Sequence, residues 1–295
     1  MNCPILAATD FSDNAGLALE RGAQIANAHG ARLHLLHVVE QEIWTHLAEL
    51  LGMNASSEHD QLHDQLRADL CGLAAMVRDK WQVETDTEIR TGPASKEMIA
   101  ASRSINAMLQ VMGGHGAGTL HDLATGSTAE RLLRQAAIPT LIVNHPVKEP
   151  YKKILLPVDF SAWSLLALRL VCELFPDAEI VLLHVVCLSY EPQLRHAGVS
   201  SAEIDQYRAQ ERQKAETEMA ILLADVKGCR DKISTRVTGG DISTTVVDVA
   251  REENVDLVAI GKHGRGMIEE WLLGSVTLHV LASAPCDVLV CGKTD

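Results

Sequence analysis

Short, near-continuous apolar runs alternate with longer amphipathic stretches along the whole chain. Strand-like runs occupy 3–9, 32–39, 84–91, 108–112 and 140–144, and again 152–158, 179–186, 232–238, 256–260 and 287–291. Helical patterns fill the intervals at 13–29, 41–80, 94–105 and 127–136, then at 162–174, 200–227, 241–253 and 275–283. The pattern over 41–80 is expected to break around Gly52 to Ser57. Runs rich in Val, Ile and Leu without strict alternation are what parallel strands covered on both faces require. The βα alternation predicts an α/β fold of two tandem doubly wound, five-stranded parallel-sheet (Rossmann-like) domains. The first spans 1–145 and the second 151–295, with 146–150 as a linker in which Pro146, Pro150 and charged residues discourage continued structure.

The two halves repeat one another. Ile5-Leu6-Ala7-Ala8-Thr9-Asp10-Phe11-Ser12 matches Ile154-Leu155-Leu156-Pro157-Val158-Asp159-Phe160-Ser161, and Leu33 to Val39 matches Ile180 to Val186. Ile89 to Gly92 aligns with Thr235 to Gly239 across a small gap, and Pro139 to Val143 aligns with Cys286 to Val290. A duplicated domain, rather than a short solenoid repeat, accounts for this long period.

A glycine pattern, G-x-x-G-x9-G-S, occurs once in each half: Gly113, Gly116, Gly126, Ser127, and then Gly261, Gly264, Gly274, Ser275. Each copy follows an apolar strand-like run and ends where a helix pattern begins. With Gly near 7% of residues, such a pattern is expected by chance at roughly one start position in 20,000. A strand, a glycine-rich loop and a helix N-terminus form a cradle for phosphate, because backbone N–H groups and the helix dipole point at the anion. The competing reading is purely structural: glycines after strands also serve tight turns, and Ser127-Thr128-Ala129-Glu130 fits a capping box.

Ligands of open α/β sheets bind beyond the carboxyl ends of the strands. Asp10 and Asp159 end the first strand of each half, His37-Val38 and His184-Val185 end the second, and the glycine loops follow the fourth. One pocket per half thus takes a nucleoside near the aspartate and a phosphate chain at the glycine loop. Helix capping is the plain alternative for the aspartates, but Ser12 and Ser161 can cap the same helices and release the carboxylates.

Composition narrows the choice. The 295 residues carry a net charge of −13, with 47% hydrophobic and 22% charged residues, which describes a globular chain without a basic nucleic-acid surface. The segment MNCPILAATDFSDNAG lacks a signal peptide's basic start, and no apolar run is long enough to span a membrane. The seven cysteines are odd in number and include no C-x-x-C pair, so disulfides are not implied and a cytoplasmic location is expected.

The chain resembles a tandem universal stress protein over essentially its whole length. The resemblance rests on the strand-end Asp-Phe-Ser, the L-L-H-V-V strand and G-x-x-G-x9-G-S, most fully in Ile260 to Gly264 and Leu273 to Thr277. It implies binding of ATP, with Mg2+, as the adenine nucleotide of a stress-response sensor or regulator. In the second half it implies Pro157, Asp159 and Val185 on the adenine and ribose side, with Gly261, Gly264, Gly274, Ser275, Val276 and Thr277 on the phosphates. The corresponding set in the first half is Ala8, Asp10, Val38, Gly113, Gly116, Gly126, Ser127 and Thr128. It also implies that the two domains pair through their last strands as an intramolecular pseudo-dimer, and it leaves further homodimerisation open.

The first copy departs from the pattern. Ala129 stands for Thr277, Ala8 for Pro157, and Gly114 and Ala117 for Lys262 and Arg265, so the C-terminal site is expected to be the stronger. No G-x-x-x-x-G-K-[ST] motif is present and no general base lies near a γ-phosphate, so slow ATP hydrolysis is the most catalysis to expect. His115 and His263 inside the glycine loops are acid–base candidates of suitable pKa, with packing or backbone bonding as the plainer role, and His59 with His63 is a weak metal pair. A nucleotide-transferring enzyme and a scaffold for another small ligand remain the alternatives.

Overall fold

The computed structural model of the protein describes residues 3–40, 57–114, 126–187, 191–224, 226, 229–262, 264 and 273–292, and the side chains of all of these except 57–62 and 192. Its contacts divide the chain between Pro150 and Tyr151 into two units.

The first unit runs β1 (Ile5–Thr9), α1 (Asp13–Ala28), β2 (Leu33–Val39), α2 (Ser57–Trp81), β3 (Thr85–Thr91), α3 (Ala94–Ser104), β4 (Leu109–Gly113), α4 (Ser127–Gln135) and β5 (Thr140–Val143). Its strands are parallel in the order β3-β2-β1-β4-β5. The second unit runs β6 (Lys153–Pro157), α5 (Ala162–Leu174), β7 (Glu179–Val186), α6 (Glu191–His196), α7 (Ser201–Ala224), β8 (Ile233–Gly239), α8 (Ile242–Glu252), β9 (Leu257–Gly261), α9 (Ser275–Ser283) and β10 (Asp287–Cys291). Its strands are parallel in the order β10-β9-β6-β7-β8. Both units therefore have the expected doubly wound topology.

Burial follows the apolar runs. The residues of β5 and β10 are all buried, whereas β3 and β8 carry polar residues that are partly exposed. Among the described residues, no helix is long and apolar enough to cross a membrane.

Three expectations need correction. Val143 pairs with Gly113 and Cys291 with Gly261, so Val143 corresponds to Cys291 and Thr140 to Val288, one residue along from the sequence alignment. Val39 pairs with Thr91 and Val186 with Gly239, which makes Gly92 the counterpart of Gly240 rather than of Gly239. Near-continuous buried runs allow such slips, and only the ladder register removes them. The helix expected over 200–227 is preceded by a separate six-residue helix, α6, too short for a 3.6-residue period to show. In the first unit α2 begins at Ser57, and residues 41–56 lie outside the described residues.

A further correction concerns the cysteines. Cys172 on α5 and Cys229, beside a short 3-10 turn at Arg230–Lys232, form a disulfide with Cα atoms 6.0 Å apart. Their separation of 57 residues is invisible to motif spacing, because the fold alone brings the Cβ atoms within bridging reach. Cys286 and Cys291 are buried, and burial pushes both thiols up to about 12, which makes them inert packing residues.

Candidate functional site

In each unit the first strand stops short of its neighbours. The β1–β2 register ends at Thr9 opposite His37, while β2 continues to Val39 against β3. Likewise β6 ends at Pro157 opposite Leu183, and β7 continues to Val186 against β8. Because the chain leaves β1 and β6 toward one side and later returns on the other, their carboxyl ends are topological switch points, where a crevice opens. Ala8 lies in β1 and Pro157 ends β6; Val38 and Val185 lie on the projecting ends of β2 and β7.

Each crevice is entered by the turn Asp-Phe-Ser. Ser12 caps α1, accepting from the N–H of Ala15 at 3.2 Å, and Ser161 caps α5 from the N–H of Ser164 at 3.4 Å. The same serines hold the aspartates. Asp10 Oδ1 accepts from the N–H of Ser12 at 3.1 Å and from its Oγ at 2.5 Å. Asp159 Oδ1 accepts from the N–H of Ser161 at 3.0 Å and its Oγ at 2.6 Å. The carboxylates are thus relieved of capping, as expected, but one oxygen of each is bonded to the capping serine. Asp159 has an additional support: Ser164 Oγ donates to Oδ1 at 2.7 Å and accepts from the Asp159 N–H at 3.0 Å. Ser164 is buried, and its counterpart Ala15 has no hydroxyl.

Two framework residues went unread in the sequence. Phe11 and Phe160 adopt φ of 63° and 60°, in the left-handed region that bulky side chains rarely occupy. Their rings pack on His37 and His184, with centroids 4.6 and 4.3 Å apart. The Nδ1–H groups of those histidines donate to the backbone carbonyls of Thr9 and Val158, both at 2.8 Å. The histidine thus pins the end of the first strand to the second and supports the strained turn that aims the aspartate. The signal was present as D-F-S and L-L-H-V repeated in both halves.

The glycine loops after β4 and β9 lead into the starts of α4 and α9. The N-caps of α4 and α9 are Gly126 and Gly274, which have no side chain with which to cap the first turn. The capping box expected at Ser127 to Glu130 does not form, because Ser127 is already the first helical residue; Glu130 pairs with Arg134 at 2.5 Å instead. Ser127 and Ser275 are exposed, and Thr128 and Val276 half-buried. Thr277 is buried and its hydroxyl donates to the Gly261 carbonyl at 3.1 Å, so this side chain ties α9 to the end of β9.

The loops themselves are partly visible. Gly126 N–H donates to the Gly114 carbonyl at 3.0 Å and Gly274 N–H to that of Lys262 at 3.4 Å, closing equivalent loops in the two units. Gly113 ends β4, where a Cβ would stand 3.0 Å from the backbone of Asn14, and Gly261 ends β9. A Cβ on Gly264 would lie 3.3 Å from Asp159 Oδ2, so the second loop passes directly against the strand-end carboxylate. Lys262 is only 7% exposed and does not sit on a solvated loop. At its counterpart Gly114, a Cβ would fall 1.9 Å from Asn144 Oδ1. Gly116, His115, Ala117, His263, Arg265 and the side chain of His59 lie outside the described residues. Among the described residues, no group of three His, Cys, Asp or Glu is arranged to hold a metal.

The family model of the universal stress proteins matches residues 1–144 and again 150–292. A universal stress protein of Mycolicibacterium smegmatis is 26% identical, with 97% of this chain and 96% of that protein aligned. Universal stress protein Rv2623 of Mycobacterium tuberculosis is 27% identical over 95% of this chain and 94% of its own. Among solved structures, a universal stress protein from Archaeoglobus fulgidus superposes with a TM-score of 0.68 at 19% identity, covering both chains completely.

Proposed function

The chain belongs to the universal stress protein family, and from that premise we propose that it binds ATP in both units and acts as a nucleotide-dependent regulator of a stress response. The observation that carries this reading is the approach of the second glycine loop to the serine-held Asp159, where a Cβ on Gly264 would stand 3.3 Å from its Oδ2, with the same turn and glycine-capped helix repeated in the first unit. An anion satisfies the first-turn N–H groups that a Ser or Asp cap would otherwise occupy. Asp10 and Asp159, held by their serines, offer an acceptor suited to ribose hydroxyls, and the ends of β2 and β7 at Val38 and Val185 offer an apolar wall and backbone groups to the base.

The phosphates would meet Gly126, Ser127 and Thr128 in the first unit and Gly274, Ser275 and Val276 in the second, together with the loop glycines Gly113, Gly116, Gly261 and Gly264. Thr277 contributes through its backbone, since its hydroxyl is directed at Gly261. Mg2+ travels with the nucleotide and is held by the phosphates, which commonly supply most of its ligands together with water. Turnover is slow at most, because neither crevice brings a described general base to the phosphate end. The C-terminal site is the tighter one: Ser164 steadies Asp159, and Lys262 adds a cation beside the loop.

The test is calorimetric titration of nucleotide-stripped protein with Mg·ATP, beside Gly274→Asp and Gly126→Asp. Asp is a favourable N-cap residue, so each substitution stabilises its helix while occupying the N–H groups with a carboxylate. Gly274→Asp is expected to weaken the tighter phase by about 100-fold, two or more charge-assisted hydrogen bonds being replaced by repulsion. Unchanged titrations in both variants, with intact thermal melts, would overturn the reading.

A further inference from the structure

Outside the nucleotide crevices, the second unit carries a cavity of about 680 Å³ at the carboxyl ends of β7 and β8. It shares no residue with the set assigned to ATP. Its volume lies within the range of small-molecule sites, and it opens on the sheet edge where such sites form.

The lining divides by chemistry. The strand ends supply an apolar and backbone floor: Val186, Val237, Gly239 and Gly240. Above it stand Arg208 and Arg212, one helical turn apart on α7 and so on one face, together with Glu191 from α6 and Asp241, the N-cap of α8. Arg208 already grips a carboxylate at two points, Nη2 to Glu191 Oε1 at 2.6 Å and Nε to Oε2 at 3.2 Å. Asp241 accepts from the Thr244 N–H and Oγ, at 3.0 and 3.1 Å, which holds its carboxyl below the usual range and ionised. Two guanidiniums and two carboxylates thus surround an apolar floor, within a surface network in which Arg212 also pairs with Glu216 and Arg208 with Asp205, both at 3.0 Å, and Glu191 with Arg195 at 2.9 Å. A polyanion would meet the two acids, and an apolar molecule would strip water from the exposed Arg208, Arg212 and Asp241 without replacing it. A ligand with both charges and a hydrophobic body meets neither penalty.

The first unit carries other residues at the equivalent positions of its strand ends. The ladder puts Arg90 opposite Val38 where Thr238 stands opposite Val185, and Gly92 and Gly240 share φ of 146° and 147°. A Cβ on Gly92 would meet Glu97 Oε1 at 3.0 Å, and one on Gly240 would meet Thr245 Oγ1 at 2.7 Å, so Glu97 corresponds to Thr245. Arg90 and Glu97 face each other at 3.7 Å. The first copy thus has a partly exposed Arg90, bonded to Glu88 at 2.8 Å and near Glu97, where the second has two threonines.

We propose that the cavity at the ends of β7 and β8 is a second ligand site, taking a zwitterionic α-amino acid with a large apolar side chain. Its carboxylate binds Arg212 and Arg208, its ammonium faces Asp241 and Glu191, and its side chain lies on Val186 and Val237. Water shares the remaining volume. Cys187 also lines the cavity and is exposed, so it reports on occupancy.

The experiment uses the full-length protein, stripped of nucleotide and again saturated with Mg·ATP. L-phenylalanine and L-leucine are titrated calorimetrically, and alkylation of Cys187 by iodoacetamide is followed by peptide mass spectrometry with Cys71 as the internal control. One amino acid is expected to bind at a single site and to slow alkylation of Cys187 but not of Cys71. Arg212→Ala should weaken it about tenfold, the usual effect of losing a charge-assisted hydrogen bond. Thr238→Arg, which installs the first unit's residue, should abolish it while Mg·ATP still binds. 3-Phenylpropionate and phenethylamine, each with one charge, should bind at least about tenfold more weakly. Failure of both amino acids to bind at millimolar concentration overturns the proposal, as does binding unchanged in Arg212→Ala with an intact melt. Equal affinity for 3-phenylpropionate overturns the zwitterion assignment.

Discussion

The two units build the same crevice from the same turn, yet they do not hold its parts alike. In the first, Asp10 is exposed and fixed by Ser12, which follows it two residues later in the turn. In the second, Asp159 is half-buried, and Ser164, from the first turn of α5, reaches back to bond both its carboxylate and its N–H. The difference continues across the crevice, where Gly114 is crowded by Asn144 and Lys262 occupies the equivalent place as a buried cation. A duplicated fold can thus keep its backbone plan while a few small side chains decide how rigid each copy's acceptor is. Preorganisation matters because a group already locked in its bound orientation loses less entropy when the ligand arrives.

The contrast is broken most severely at Gly264. Placing Asp there sets a second carboxylate against Asp159 Oδ2, and the C-terminal site is expected to lose about 100-fold in ATP affinity while the N-terminal site is unchanged. Two-phase calorimetry distinguishes this from global damage, which would remove both phases. A milder exchange is Ser164→Ala with Ala15→Ser. Removing the third support from Asp159 should weaken the C-terminal site about fivefold, and adding it beside Asp10 should strengthen the N-terminal site by a smaller factor. If the affinities of the two phases do not move toward each other, the serine is only structural.

Stability offers a second comparison. Gln110 on β4 is 1% exposed and its Oε1 has no partner among the described residues, whereas Val258 fills the same register position on β9. Gln110→Val removes a buried, unsatisfied carbonyl and should raise stability by about 1 kcal/mol, seen as a higher Tm. The smallest effect concerns Glu253, which has no acidic equivalent at Asn106 or Ile105 in the first unit. Its hydrogen bond to Lys153 at 2.6 Å, opposed by partial burial and aided by Arg236, holds its carboxyl below the ordinary range. A lowered folded-state value stabilises above the unfolded value and is lost as pH falls through the folded one. The stability gap between wild type and Glu253→Gln should therefore narrow between neutral pH and about pH 3 in urea titrations.

The sequence by itself determined the duplication, the strand and helix order of both units and the positions of Asp10, Asp159 and the glycine loops. These are local or strictly periodic: an apolar run, a helical face and a fixed glycine spacing are each written within a few neighbouring residues. Register was not, since a run such as Thr140 to Val143 can slide by one residue without offending any local rule, and only its ladder with β4 decides. The roles of Ser127 and Thr277 likewise depended on where the helix began and which carbonyl lay overhead. The Cys172–Cys229 bridge, the Ser164 support under Asp159 and the cavity beside β8 belong to the tertiary structure alone. Bridge and cavity are made by groups tens of residues apart, while the support, though only five residues long in sequence, exists because the left-handed turn at Phe160 folds the chain back on itself.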